Sequence, residues 1–359
     1  MPELDGFRAI AVWMVVLAHL SGAWPVPDGA IPAPVRVILS KGWLGVDLFF
    51  VLSGFLITGI LLDSKEKPRY FSTFYGRRFL RIIPLYFTVI TLCFLVYRQP
   101  AAYFGLSYAF LANFAAAWGV SVPHGPGVFW SLAIEEHFYL IWPLIIRFLS
   151  HRNILIVCVI VFLGSPFLRG IAMSYGQEPE RDIYFRSWFR FDGLTLGALL
   201  ALWFRSSKRS RKTSLQLAGL MLTASVLILI IGAPFGILGT KTLASTSLRY
   251  THMQLMFGSA ILASLALAGS PVTALLRTSF MRVSSDLSYC VYLIHVSIGD
   301  GYFWFLKHYG VDMTAMAGAR RAWLFQCFAI ISVTFGLAYL SKKYMEDPFL
   351  RLKSHFNYK

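Results

Sequence analysis

The chain alternates long apolar stretches with short, mostly basic connections. A helix needs about 20 apolar residues to cross the hydrocarbon core of a bilayer. Ten stretches of about this length follow one another along the sequence, at 5–24, 43–62, 79–97, 128–149, 153–172, 186–204, 213–234, 250–269, 287–306 and 322–341. The pattern predicts an all-α fold, a polytopic membrane helix bundle of about ten transmembrane helices.

An eleventh apolar piece, Tyr103–Trp118, is shorter and is interrupted by Asn113. The segments Lys65–Arg81 and Arg205–Lys212 on either side of it are strongly basic, and basic loops favour the cytoplasmic side. An even number of crossings must then separate them, whereas counting the eleventh piece would give five. We therefore predict a re-entrant or interfacial segment on the outer side, with both termini in the cytoplasm.

Composition supports a multi-pass protein of the cell membrane, most simply a bacterial cytoplasmic (inner) membrane. Of the 359 residues, 57% are hydrophobic and 14% are charged, and the mean hydropathy is +0.62. These values exclude an ordinary water-soluble domain. The net charge of +16 is spread between apolar stretches, which favours contact with membrane lipids and orientation in the membrane over nucleic-acid binding. No repeat or long linker divides the chain, so residues 1–359 are predicted to form a single domain.

Two ionisable residues lie within the first apolar stretch. Arg8 and His19 are eleven positions apart, which brings them to within ~20° of the same helix face and separates them by ~16.5 Å. Ionisable groups inside a membrane are functional candidates, and imidazole is a natural general base near neutral pH. The alternative is structural, with the histidine hydrogen-bonded between helices and the arginine reaching the headgroups.

A carboxylate in the fourth stretch is the candidate partner of this histidine. Ser131, Glu135 and Tyr139 recur every four residues and share one helix face. With the proposed orientation, Glu135 lies at roughly the depth of His19 and would orient and charge-stabilise the ring. The alternative is a structural ion pair of Glu135 with an intramembrane arginine such as Arg190.

Three arginines stand at the cytoplasmic start of the third stretch. Guanidinium groups and the free amides of a helix N-terminus together suit phosphate groups. Arg77, Arg78 and Arg81 are therefore candidates for binding a ligand with several phosphates, such as coenzyme A. The alternative is a positively charged membrane anchor without a ligand.

Other chemical signals are weak. His295 and Asp300 form an HxxxxD string like that of glycerolipid acyltransferases, but five helical steps turn two side chains ~140° apart. A string this short also arises by chance. The cysteines and histidines show no metal-ligand spacing, so no metal site is predicted.

Six motifs occur in a fixed order along the chain: Leu4–Ala11 with His19, Gly45–Phe55, Arg77–Tyr86, Ser131–Tyr139, Ser288–His295 and Glu346–Pro348. In this order they resemble the acyltransferase 3 family of membrane acyltransferases nearly end to end. The opening motif is similar to the family's arginine and histidine signature, and the third is similar to its basic helix entry.

The resemblance implies an O-acyltransferase, usually an O-acetyltransferase, that modifies hydroxyls of glycans, lipid-linked saccharides or other sugar-containing acceptors. It implies acyl-CoA, most simply acetyl-CoA, as a cytoplasmic donor substrate, with no permanently bound cofactor. Some members carry a further hydrolase-like domain after the membrane part. Because this chain ends at Lys359, we expect the stand-alone form, and whether a partner protein completes an extracytoplasmic transfer is left open.

The expected mechanism gives His19 the role of general base, with Glu135 holding its ring and Arg8 lining the approach of the donor. Direct transfer is preferred over an acyl-enzyme formed on His19 or Ser131, because no serine is paired with a base in the sequence. A transporter or flippase of lipid-linked sugar, with no acyl transfer, is the alternative from another functional class.

Overall fold

The structure, a computed structural model, describes residues 1–98, 100–175, 180–206 and 209–358. Within these ranges it is all-helical, with 83% helix and no strand, which confirms the all-α prediction. The ten longest helices are α1 (Pro2–Gly22), α2 (Gly45–Ser64), α3 (Tyr70–Tyr97), α4 (Phe129–Phe148), α5 (His151–Ser174), α6 (Phe191–Phe204), α7 (Arg211–Gly232), α8 (Leu243–Ala266), α9 (Ser279–His308) and α10 (Ala319–Ser341).

Each of the ten predicted stretches coincides with one of these helices. Among the described residues, six helical runs are both long and apolar enough to cross a membrane: Pro2–Gly22, Ala33–Ser64, Tyr70–Tyr97, His151–Ser174, Arg211–Phe235 and Ala319–His355. The others are shorter or more polar, as in α6 with its 14 residues. A multi-pass membrane protein is therefore supported, and the count of about ten crossings stays a prediction.

The segment Tyr103–Trp118 is not one continuous helix. It contains the end of a short helix, Ala101–Tyr108, followed by the 3-10 turns Ala112–Phe114 and Ala116–Trp118. The Asn113 amide nitrogen donates to the Ser187 hydroxyl at 3.0 Å. No piece of this segment has the length of a crossing helix, in agreement with its exclusion from the predicted crossings.

Helices α2 and α6 pack with almost no space between their backbones. A Cβ added to Gly54 would come within 1.9 Å of the Leu194 carbonyl oxygen, and one added to Gly197 within 2.1 Å of that of Val51. Small residues allow this close approach of membrane helices. The contact makes α6, although short, a central element of the bundle.

Two fully buried ion pairs connect α6 to α5 and to α2, and a glutamine of α8 bridges them. The Arg169 guanidinium donates to Asp192 at 2.7 Å, and that of Arg190 donates to Asp47 at 2.8 Å. The Gln254 amide nitrogen joins the pairs by donating to Asp192 at 3.0 Å and to Asp47 at 3.3 Å. Arg190 is therefore paired with Asp47, and the alternative in which it pairs with Glu135 is wrong.

Candidate functional site

Two of the cavities in the described part of the bundle contain most of the residues selected from the sequence. The inner cavity, of about 120 Å³, is lined by Arg8, Arg78, Arg81, Glu135 and their neighbours. The outer cavity, of about 870 Å³, contains His19 in its wall. The predicted cationic site and the predicted base thus belong to different compartments.

The inner cavity combines three guanidinium groups with one carboxylate. Ser53 donates to one oxygen of Glu135 at 2.7 Å, and the Tyr139 hydroxyl donates to the other at 3.1 Å. The Arg78 guanidinium lies 5.5 Å from the centre of the Tyr139 ring. With Arg8 and Arg81 also in the wall, the cavity has an excess of positive charge, which suits an anionic ligand.

In the outer cavity His19 is paired with a second histidine. The His19 Nδ1 lies 2.9 Å from the Val15 carbonyl oxygen and 3.1 Å from His295 Nε2. The His295 Nδ1 lies 2.8 Å from the carbonyl oxygen of Tyr292 and 3.1 Å from that of Val291. Because carbonyl oxygens only accept, both rings carry their proton on Nδ1. This tautomer leaves the His19 Nε2 as a proton acceptor.

The two cavities share the side chains of Val46 and Tyr292. The Tyr292 hydroxyl lies 2.5 Å from the Ser131 hydroxyl and 3.3 Å from the Val128 carbonyl oxygen, to which it donates. Its ring makes an edge contact with Phe49, with a centroid distance of 6.1 Å. These residues stand where the two cavities adjoin.

The rest of the wall of the outer cavity is largely aromatic and basic. Trp43 and Tyr250 make an edge contact at 6.1 Å, and Trp130 and Tyr184 lie 4.7 Å apart. Lys241 and Arg249 also line this cavity. Aromatic faces provide apolar stacking surfaces for sugar rings, and the cations suit anionic groups on the same ligand.

His124, in the connection before α4, lies at the rim of the outer cavity and is bonded to Asp300. Its Nδ1 donates to a carboxylate oxygen of Asp300 at 2.6 Å. Asp300 also accepts from Trp24 at 2.9 Å and from the Tyr97 hydroxyl at 2.6 Å. The hydrogen bond to the carboxylate raises the pKa of His124 above its usual value. The cluster fastens the connection before α4 to α3, to α9 and to Trp24, which follows α1.

The structure brings four of the six predicted site residues together and separates the other two. Arg8, Arg78, Arg81 and Glu135 line the inner cavity, and His19 lies in the outer one. Arg77 is not among the residues that line either cavity.

The Arg77 guanidinium instead donates to the carbonyl oxygen of Phe356 at 2.7 Å and to the side chain of Asn357 at 3.3 Å. The i,i+4 spacing puts Arg77 within ~40° of Arg81 on α3, so it is the C-terminal segment that engages Arg77 apart from the cavity.

The expectation that Glu135 holds the His19 ring does not match the geometry. Both carboxylate oxygens of Glu135 are engaged by Ser53 and Tyr139, and the ring partners of His19 are Val15 and His295. The shared face of Ser131, Glu135 and Tyr139 was predicted, but the direction in which that face points was not. A helical period defines a face only relative to its own axis.

Sequence reasoning set His295 aside as part of a chance string, whereas it is the partner of the predicted base. The side chains of His295 and Asp300 bind different groups, which agrees with the expectation that they leave the helix in different directions. The signal that would have identified His295 was its position at the end of the motif Ser288–His295, independent of Asp300. Among the described residues, no group of three His, Cys, Asp or Glu side chains gathers to hold a metal.

Comparisons with known proteins agree with the motifs. A family model described as an acyltransferase domain, that of the acyltransferase 3 family, matches residues 1–342. The peptidoglycan O-acetyltransferase OatA of Listeria monocytogenes is 28% identical over 389 residues, covering 100% of this chain and 57% of that protein. The O-acetyltransferase OatA of Staphylococcus aureus is 32% identical over 221 residues, covering 56% of this chain and 34% of that protein. The chain thus spans less than two thirds of the length of these relatives. No solved structure matches it.

Proposed function

The chain belongs to the acyltransferase 3 family of membrane acyltransferases, and from this premise we propose that it moves an acetyl group from cytoplasmic acetyl-CoA to a glycan hydroxyl. The observation that carries the proposal is the meeting of two different cavities at Val46 and Tyr292. One cavity suits phosphates, and the other combines a free imidazole nitrogen with an aromatic wall.

The donor occupies the inner cavity. Arg8, Arg78 and Arg81 are oriented toward one space with a single carboxylate among them, and forked guanidinium groups match phosphate oxygens in charge and geometry. The pantetheine arm then extends past Arg8 and between Val46 and Tyr292. This path delivers the thioester to the outer cavity.

His19 acts as the general base. Its Nε2 accepts the proton of the acceptor hydroxyl while the hydroxyl oxygen attacks the thioester carbonyl. The imidazolium that forms keeps its Nδ1–H directed at the Val15 carbonyl oxygen and at His295 Nε2. The coenzyme A thiolate then leaves and recovers a proton from the imidazolium. His295 is the positioning residue in this scheme, the role that the sequence had suggested for Glu135.

The acceptor enters the outer cavity. The Listeria relative is named for acetylation of peptidoglycan, and the aromatic and basic wall suits a sugar polymer that carries anionic groups. We therefore propose peptidoglycan glycan as the acceptor. Direct transfer remains preferred over an acyl-enzyme, because the Ser131 hydroxyl contacts Tyr292 and Val128 and, among the described residues, no basic side chain.

The test uses the purified full chain in detergent, with radiolabelled acetyl-CoA and soluble peptidoglycan glycan strands. We expect glycan-dependent release of the coenzyme A thiol and base-labile label on the glycan. Omission of the glycan provides the control for simple thioester hydrolysis. Failure to consume acetyl-CoA, together with movement of lipid-linked sugar across vesicle membranes, would instead support a flippase and overturn the proposal.

A further inference from the structure

A third cavity, of about 550 Å³, lies where the last turns of α9 meet the first turns of α10. Its wall includes Tyr302 and Phe303 of α9 and Gln326 of α10, and the connections that follow α1 and α9 complete it. None of the six site residues selected from the sequence lines this cavity. It is therefore a separate compartment from the inner and outer cavities.

Ring contacts connect the third cavity to the outer one. The Phe303 ring stacks on Trp24 at a centroid distance of 6.0 Å, and Trp24 makes an edge contact at 5.8 Å with His124 in the wall of the outer cavity. Helix α9 lines the outer cavity as far as Val296 and the third cavity from Tyr302 onward, which is ~9 Å farther along the helix. The two cavities are therefore neighbours along α9.

Two polar groups in the wall of the third cavity are unpaired. In the part of the chain that the structure describes, the Gln326 amide nitrogen and the Tyr302 hydroxyl have no hydrogen-bond partner. Gln326 is only 5% exposed, and an unpaired donor at a buried position is unfavourable. The nearby Trp323 indole, in contrast, donates to the Leu20 carbonyl oxygen at 3.1 Å. A polar ligand in this cavity would satisfy the two unpaired groups.

The remaining chemistry of the wall suits a sugar. Tyr302 and Phe303 supply aromatic faces on which a sugar ring can stack, and an amide and a hydroxyl pair with sugar hydroxyls. The charged side chains are Asp28, Asp312 and Lys307, so the wall lacks the excess of positive charge that would favour phosphate. A lipid acyl chain would leave the amide and the hydroxyl unpaired.

We propose that the third cavity binds a further sugar unit of the acceptor glycan, so that the enzyme prefers glycan chains to a single disaccharide. The inference rests on the proposed function. One unit of the chain presents its hydroxyl to His19 in the outer cavity. A unit farther along the same chain stacks on Phe303 and is hydrogen-bonded by Gln326 and Tyr302.

The experiment measures equilibrium binding of tritium-labelled peptidoglycan glycan fragments to the full chain in detergent, without acetyl-CoA. One fragment contains a single disaccharide and the other contains several. We expect the wild-type protein to bind the longer fragment more tightly, by roughly tenfold. Gln326→Leu and Tyr302→Phe should each weaken binding of the longer fragment roughly fivefold, which corresponds to one hydrogen bond between neutral groups. Binding of the shorter fragment should not change.

Matched controls make the same chemical changes outside the third cavity. Gln216→Leu alters an exposed glutamine of α7, and Tyr309→Phe alters an exposed tyrosine just after α9. Both should keep the wild-type affinities. Gln326→Leu should also keep the wild-type Tm, because the amide nitrogen that it removes has no partner among the described residues. A lowered Tm with unchanged binding of both fragments would show a structural role for Gln326 and overturn the inference.

The remaining outcomes separate this inference from the proposed function. Equal affinity of the wild-type protein for the two fragments, or an equal loss for both in Gln326→Leu, would overturn the inference and leave the proposed function intact. Absence of label transfer from acetyl-CoA to either fragment would overturn the proposed function, whereas binding that depends on chain length and on Gln326 would still support the glycan site. Unchanged binding by Gln326→Leu, with a lipid chain found in the cavity by cryo-EM, would assign the cavity to lipid and make the inference wrong.

Discussion

At the scale of single residues, the position of one ring nitrogen carries the proposed chemistry. His19 directs Nδ1 to the Val15 carbonyl oxygen and His295, which leaves Nε2 as the acceptor nitrogen of a ring that lines the outer cavity. A partner that fixes the tautomer and orientation of a histidine determines which nitrogen can take a proton. In catalytic triads a carboxylate holds the histidine ring in this way. Here a second imidazole and a backbone carbonyl oxygen hold it.

His19→Gln should abolish most acetyl transfer and leave donor binding unchanged. Positioned general-base catalysis contributes about 10²- to 10⁴-fold, and His19 is not part of the inner cavity where the donor phosphates bind. The measurements are label transfer to glycan strands and binding of acetyl-CoA by the same preparation. His295→Gln should cause a smaller loss, because it removes positioning and leaves the base. Transfer at the wild-type rate by His19→Gln would refute the assignment.

The pair of His124 and Asp300 should make thermal stability depend on pH. The pKa of His124 is raised by Asp300, so the stabilisation is present below the ordinary histidine pKa of about 6.5 and is lost as pH rises through the raised value. The side chain of His124 is 50% exposed, and the effect is therefore modest. Between pH of about 6 and 9, the Tm of the wild type should fall relative to that of His124→Gln. Parallel Tm profiles of the two proteins would contradict the prediction.

At the scale of elements, a short helix is held in the centre of the bundle by charge and by close packing. Asp192 and Arg190, at the start of α6, pair with arginine and aspartate side chains of α5 and α2. Gly197 brings the same helix onto α2. Buried charges of this kind are tolerated only when they are paired and hydrogen-bonded. The ion pairs thus fix the relative positions of helices whose apolar surfaces alone would leave several arrangements available.

Asp47→Asn should destabilise the protein by about 3–5 kcal/mol, because it leaves the fully buried Arg190 without its counter-ion. The matched control is Asp63→Asn, which breaks the pair of Asp63 with Arg205 near the surface. The Asp63 side chain is 63% exposed, and such pairs contribute about 0–1 kcal/mol. Unfolding in detergent, followed by tryptophan fluorescence, measures both variants. Equal losses of stability in the two variants would show that the buried Arg190 pair contributes no more than the exposed pair.

At the scale of the whole molecule, the proposed function requires a path between two cavities that would hold different ligands. The inner cavity has a cationic wall, the outer one is large and aromatic, and their shared side chains are Val46 and Tyr292. A thioester on a long arm would pass from one to the other while its phosphates stay behind. In the proposed scheme the bundle therefore separates donor recognition from acceptor recognition.

Val46→Phe should block acetyl transfer without weakening the binding of acetyl-CoA phosphates. The larger ring narrows the place where the two cavities adjoin, so the thioester no longer reaches His19. Val46→Ala widens the same place and is the matched control, with transfer expected to continue. Label transfer and donor binding are measured side by side. Undiminished transfer by Val46→Phe would mean that the donor takes another route.

Much of the fold was predictable from the sequence, because it depends on local properties. Apolar length and basic connections are properties of consecutive residues, and each of the ten predicted stretches is a helix in the structure. The sequence also predicted that Arg8, Arg78 and Arg81 lie near the same end of the bundle, and all three line the inner cavity. The broken segment at Tyr103–Trp118 was likewise indicated by its length and by Asn113.

The sequence by itself determined which residues share a helix and which of them share a face of that helix, because backbone geometry sets both. Only the tertiary structure decided which faces meet. His19 and His295 are 276 positions apart, and the partner of Arg190 was Asp47 and not Glu135. Rotation of a helix about its own axis leaves its period unchanged, so the pairing of faces depends on packing against every other helix at once.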